Sequence, residues 1–154
     1  MKNPANYRMS LSRFFPSTHP RKGEPTLFKE AMESGRKIHT IRANYPFWAE
    51  RIERVNAGEA ILTVYEWTGK PYNSPCRDLF VFDKDSGIGV QEVGFQMDVK
   101  EAYILDESAY KYIILDMADL TRNDGISLDD FCHLFKRKDL VEEFAIIHFG
   151  KFRY

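Results

Sequence analysis

Lys37, Thr40 and Arg42 fall within one six-residue stretch. Together they offer an amine that becomes a base once it loses its proton, a hydroxyl that can attack or donate, and a guanidinium that holds an anion. They belong to the run Ser34-Gly35-Arg36-Lys37-Ile38-His39-Thr40-Ile41-Arg42. Side chains two apart on a strand share a face, so Thr40 and Arg42 point the same way, with Ile38 beside them and His39 and Ile41 opposite. Lys37 stands three residues before Thr40 and reaches the same side only if it comes in from the turn. Its free pKa near ~10.4 leaves almost no neutral amine at pH 7. Burial, or a neighbouring Arg42 or Arg36, would lower that value.

The elements around this run are what must hold it. Thr26 is suited to cap a helix from Leu27 to Ser34, and Gly35 to close it with a left-handed residue. Asn44-Tyr45-Pro46 begins a second helix, Phe47 to Val55, in which Trp48 packs at the mouth of the fold or offers its ring to a base. Glu59 to Trp67 alternates as a strand; Leu79 to Phe82, Val90 to Phe95, Met97 to Leu105 and Phe144 to Phe149 follow as strands. Ala109 to Leu115 fits strand or helix, and Met117 to Leu120 leans helical. Ser127 caps a helix from Leu128 to Phe135, which Lys136-Arg137-Lys138 closes. Strands in series with short flanking helices predict an α+β fold, a mixed β-barrel of about five to seven strands.

The run Gly35-Arg36-Lys37-Ile38-His39-Thr40-Ile41-Arg42 resembles the G-x-K-x-x-T-x-R signature of the ASCH domain family, small β-barrels related to the PUA RNA-binding domains. A second segment, Asp124-Gly125-Ile126-Ser127-Leu128-Asp129-Asp130-Phe131, looks like the family's acidic-glycine-apolar stretch that leads into a helix. The resemblance covers roughly Leu11 to Phe149. It implies a PUA-like barrel in which Lys37, Thr40 and Asp124 meet although they are far apart in the chain. Some members of the family are amidases that remove the acetyl group from N4-acetylcytidine with a lysine, a threonine and a glutamate. Carried over, these roles fall on Lys37, Thr40 and Asp124. Aspartate is one methylene shorter, about 1.5 Å of reach, and a misplacement of ~1 Å can cost ~100-fold in rate. Glu92 and Glu101 are other carboxylates in the strand region.

With 154 residues and 44% hydrophobic content, the chain is long enough to bury a core without staples. Residues 1–10 read as an arm and residues 11–154 as one domain. Net charge is −1, yet residues 1–54 carry 11 Lys/Arg against 5 Asp/Glu, and residues 55–154 carry 11 against 18. That asymmetry suits one basic face for phosphates, unless the two halves interleave and mix their charges. The segment Ser12 to Pro25 is basic, aromatic and broken by three prolines. Arg21 there is a candidate phosphate contact, while Phe14 and Phe15 stack on bases or plug the core. Cys76 and Cys132 read as reduced thiols of a cytoplasmic protein. No apolar run reaches the ~18 residues of a membrane span, and the opening Met1-Lys2-Asn3-Pro4-Ala5-Asn6 lacks an apolar signal region. Around Gly125 a calcium loop fails in register, because Leu120, Arg122 and Phe131 occupy positions that need ligands. No metal or cofactor is expected.

Three functions remain open at the level of sequence. The first is an ASCH-type domain binding RNA or a modified nucleoside in a cleft of Lys37, Thr40, Arg42 and Asp124, with Gly35, Arg36, Trp48 and Arg21 as further binding candidates. The second makes the same cleft an amidohydrolase of acylated cytidine. The third is an adaptor that meets another protein through Phe14, Phe15 and their loop.

Overall fold

The computed structural model describes residues 2–106, 108–135 and 143–154. Among the described residues, eight strands and four helices follow in the order β1 (Ala5–Ser10), α1 (Phe28–Glu33), β2 (His39–Ala43), α2 (Tyr45–Asn56), β3 (Ala60–Trp67), β4 (Cys76–Phe82), β5 (Gly89–Gln96), β6 (Glu101–Asp106), β7 (Lys111–Asp116), α3 (Met117–Asn123), α4 (Leu128–Phe135) and β8 (Phe144–His148). They form an α+β fold with two sheets, ordered β1-β3-β4 and β2-β8-β5-β6-β7. Among the described residues the two sheets do not pair into one closed barrel.

Strand β3 carries the alternation expected of it. Ala60, Leu62, Val64 and Glu66 are buried on one face, while Ile61, Tyr65 and Trp67 are half-buried on the other. Strands β5 and β6 pair antiparallel, and the stretch that fitted strand or helix is β7, paired with β6 from Lys111↔Asp106 to Asp116↔Glu101. The helices start where polar side chains accept their orphan amides. Asn44 accepts from the Phe47 amide at 3.3 Å, Asp116 from Ala118 at 2.8 Å and Ser127 from Asp130 at 3.1 Å. Thr26 does less at α1 than its sequence position suggests. Its hydroxyl donates to the Ser12 carbonyl at 2.6 Å, and Leu27 with φ 61° is the residue that precedes the helix.

Two expectations are corrected. Residues 5–10 are not a free arm. They form β1, parallel to β3, with Met9 buried 2% exposed and Tyr7 half-buried against the core. Ala5, Tyr7 and Met9 alternate with Asn6, Arg8 and Ser10, a strand pattern that the arm reading passed over, and β1 raises the strand number above five to seven. The proline-rich segment from Ser12 to Pro25 is an ordered loop. The Phe15 amide donates to Glu24 O at 2.9 Å and the Gly23 amide to Phe15 O at 3.1 Å, folding the loop on itself. Phe15 is buried and stacks on His19 at 4.4 Å, whereas Phe14 stays exposed. The basic run Lys136-Arg137-Lys138 lies outside the described residues.

The core fills the space between the sheets with Leu62, Val64, Ile104, Phe131, Phe144 and Ile146 among its fully buried members. At ~25 cal/mol per Å² of apolar surface, each such side chain stabilises the fold by about 1.5–3 kcal/mol. Strand β8 is buried along its whole length and sits between β2 and β5. It therefore fixes the position of β2, the strand that begins at the candidate site.

Candidate functional site

Gly35, at φ +77°, turns the chain out of α1, and the backbone then runs against the α3–α4 turn before β2 begins. The Lys37 amide donates to Ala31 O at 2.9 Å, the Ile38 amide donates to Asn123 O at 2.9 Å, and Lys37 and Asp124 form an isolated antiparallel bridge. These backbone contacts hold residue 37 just ahead of the regular strand. Lys37 consequently lines one cavity with Thr40 despite their three-residue spacing, as a reach from the turn requires.

Gly125 makes the approach possible. Its φ is +74°, and a Cβ there would stand 2.8 Å from Lys37 Cβ and 3.3 Å from Ala31 Cβ. A residue with a side chain would be strained by its backbone and would push the lysine away. Lys37 Nζ donates to the backbone carbonyl of Asp124 at 2.8 Å and lies 3.4 Å from its Oδ1. The ammonium also sits 4.6 Å from the centroid of the Phe28 ring. Both Lys37 and Asp124 are buried.

Burial lowers the Lys37 pKa below the ordinary lysine value, and Arg42 and Arg36 push the same way, while Asp124 opposes them. The sequence left open which of these effects wins; desolvation does. Arg42 donates to the Ser10 carbonyl, and loss of hydration lowers its pKa as well. Thr40 is buried, and its hydroxyl has no hydrogen-bond partner among the described residues. Lys37, Thr40, Arg42 and Asp124 share a cavity of about 360 Å³, walled on its apolar side by Phe28 and Phe135. That size lies in the range of pockets that take small organic ligands.

Other candidates fall elsewhere. Trp48 packs edge-on to Phe47 at 5.1 Å and rests on the core without lining the cavity. Gly35 is exposed and serves the turn. Arg36 and Arg21 line a second cavity; Asp124 lines the first and Gly125, next in the chain, the second. Among the described residues no group of His, Cys, Asp or Glu is arranged to hold a metal ion.

Sequence reading assigned His39 no part in the site. It does point away from the Thr40 face, yet its Nδ1 lies 3.0 Å from Asp124 Oδ1 and its Nε2 lies 2.6 Å from the Tyr154 hydroxyl. Asn123 Nδ2 donates to the same hydroxyl at 3.0 Å. No strand spacing rule signals this contact, because Lys37 stands ahead of β2 and reaches Asp124 from the turn. Nothing in the sequence marked Tyr154. Behind it, His148 donates from Nε2 to Gln91 Oε1 at 2.8 Å, and its Nδ1 is buried without a partner among the described residues. Burial, with help from His39 and Arg153, lowers the His148 pKa to about 3, so the ring is neutral at pH 7.

Compared with known protein families, curated proteins and solved structures, the chain matches none.

Proposed function

We propose that the chain is an ASCH-type, PUA-like domain that binds RNA or a modified nucleoside in the cleft of Lys37, Thr40, Arg42 and Asp124. The observation that carries this reading is the meeting of these four side chains in one cavity of about 360 Å³. The site offers cationic donors, one carboxylate acceptor, the hydroxyls of Thr40 and Ser12, and apolar walls, the mixture that orients a base by its polar edge. In this reading the three-stranded and five-stranded sheets correspond to the two sides of a PUA-like barrel, and the protein works in the cytoplasm.

A second reading, hydrolysis of N4-acetylcytidine, is favoured by two details: the lowered pKa of Lys37 and the unengaged Thr40 hydroxyl. Thr40 Oγ1 attacks the acetyl carbonyl carbon while its proton passes to Lys37 Nζ in the fraction of molecules where that amine is unprotonated, a fraction that burial raises. Arg42 stabilises the oxyanion. The C–N4 bond then breaks, N4 takes the proton back from Lys37, and cytidine leaves. Water cleaves the resulting ester to acetate and restores the threonine. In the variant where water attacks directly, Lys37 takes the proton from that water.

The test is incubation of the protein with N4-acetylcytidine, following cytidine release against time, with Thr40→Ala and Lys37→Ala alongside. Release by the parent and none by either variant establishes the enzyme. Binding of the nucleoside without release leaves the binding reading, and neither binding nor release removes both.

A further inference from the structure

The second cavity at the Asp124-Gly125 turn encloses about 470 Å³ and is not used by the cleft just described. Three guanidiniums line it from three separate parts of the chain. Arg21 comes from the folded proline-rich loop, Arg36 from the turn after α1, and Arg122 from the last turn of α3. The Ser127 hydroxyl lines it too, and its one carboxylate is Asp130.

That carboxylate does not neutralise the arginines. Asp130 is matched by Arg21, whose Nη1 donates to it at 2.6 Å. Arg36 donates to the Gly125 carbonyl at 3.3 Å, a neutral partner, and has no carboxylate among the described residues. Arg122 pairs at 2.9 Å with Asp119, which does not line the cavity, and the two side chains are 70% and 62% exposed. Such an exposed pair contributes little and exchanges readily for a better partner. Counted over the lining residues alone, three arginines against one aspartate leave the wall at +2; Glu24, 3.4 Å from Arg21 Nε, and Asp119 pair with it from outside the lining, through exposed side chains. Each guanidinium has five N–H donors, so most remain unused.

We propose that this cavity binds a phosphate group esterified to a ribose. Converging planar guanidiniums match a phosphate's oxygens, whose charge-assisted hydrogen bonds are the strong ones. The volume exceeds what a bare phosphate fills and leaves room for the sugar it is attached to. Asp124 lines the nucleoside cleft and Gly125 the second cavity, so a nucleotide that fills both would span this one turn. The inference rests on the nucleoside reading for the identity of the ester, whereas the preference for an anion stands on the arginines alone. The ligand class is thereby narrowed from a free nucleoside to a nucleotide, alone or within an RNA strand.

The experiment titrates the full chain calorimetrically with cytidine, cytidine 5′-monophosphate, cytidine 3′-monophosphate and a short single-stranded RNA. The same series is run on the double variant Arg36→Gln/Arg122→Gln. Both side chains are exposed, so the variant keeps the fold, which its thermal midpoint checks. At low salt a phosphate-bearing ligand binds about tenfold or more tighter than cytidine, as expected for a few charge-assisted hydrogen bonds. The advantage shrinks as salt rises and collapses to a ratio near one in the double variant. An advantage already present in a monophosphate assigns a free nucleotide; one present only in the oligonucleotide assigns an RNA strand. Equal binding of nucleoside and nucleotides, or an advantage that survives the double substitution, overturns the proposal. If no nucleoside or nucleotide binds, the cleft reading has failed, and pyrophosphate then decides the second cavity. Shifts of the Arg36 and Arg122 Nε–H resonances in the parent sustain an anion site, and unmoved resonances remove it.

Discussion

His39 Nδ1 and Lys37 Nζ converge on the same oxygen, Oδ1 of Asp124, at 3.0 and 3.4 Å. The carboxylate thus faces two nitrogen groups from one short segment of chain. With Asp124 ionised, His39 donates from Nδ1 and accepts at Nε2 from the Tyr154 hydroxyl, which in turn accepts from Asn123. Every member of that series has a partner, and a buried network is stabilising only in that condition.

Removing its centre should therefore be costly. His39→Ala leaves a buried carboxylate oxygen and a buried phenol each short of one partner, and it should destabilise the protein by about 1–3 kcal/mol. Urea unfolding followed by circular dichroism measures this. An unchanged midpoint and slope would show that the network does not hold the fold. His39→Asn, which can still donate to Asp124, should recover part of the loss.

Lys37 ties stability to pH with a definite sign. Burial lowers its folded pKa, so between that value and about 10.4 the unfolded chain holds a proton that the folded chain lacks. Stability from this group is fully present above the ordinary lysine value and is lost as pH falls toward the lowered one. Its slope reaches at most about 1.4 kcal/mol per pH unit. In Lys37→Met that part of the slope should vanish, seen as a flatter stability profile on the alkaline side. Ligand binding or turnover should fall with it, because the cleft loses its amine.

His148 acts on the acid side. Its folded pKa is about 3, against an ordinary histidine value near 6.5. Between the two the unfolded chain binds the extra proton, so stability falls as pH drops from about 6.5 toward 3. The ring should remain neutral at pH 5 with its proton on Nε2, where it meets Gln91. Imidazole nitrogen shifts in a histidine-labelled sample report this directly; an imidazolium at pH 5 contradicts it. Replacing His148 by Gln should remove one proton's worth of acid sensitivity.

How much of this was legible in the chain depends on range. Local signals were readable: Asn44 and Ser127 as caps, Gly35 as a helix stop, and the alternation of β3. The convergence of Lys37, Thr40, Arg42 and Asp124 in one cavity was reachable only through a family resemblance, since no spacing rule links residue 40 to residue 124. Strand β1 shows its own alternation of Ala5, Tyr7 and Met9 with polar residues, but its pairing stayed hidden because β3 lies beyond two helices and a further strand, and parallel pairing leaves no turn to announce it. The roles of His39 and Tyr154 were hidden for the same reason: each is defined by a partner at least 85 positions away. Arg21 and Arg36 were read as binding residues, but their placement in a separate cavity depends on how the proline-rich loop folds onto α4. There the Arg21 amide donates to His19 Nδ1 at 2.9 Å, and His19 Nε2 meets Asp130 O at 3.1 Å.

Gly125 offers the sharpest separation of fold from site. Gly125→Ala places a methyl 2.8 Å from Lys37 Cβ, a stem carbon fixed by the backbone bridge to Asp124, and does so at a positive φ that alanine resists. The lysine cannot swing aside as a flexible tip would, so the segment from Lys37 to Ile38 must move. The expected cost is about 1–3 kcal/mol, typical of overpacking a close contact. Gly35→Ala is the matching control, for its φ is +77° but nothing lies within 4 Å of the added Cβ. It carries only the backbone penalty, about 1 kcal/mol. Chemical denaturation of both variants, with ligand affinity measured under native conditions, tests the difference. Gly125→Ala should weaken binding in the Lys37 cleft even where the protein is still folded, and Gly35→Ala should do so far less. Equal effects on affinity would mean that the close packing of Gly125 on Lys37 does not position the amine.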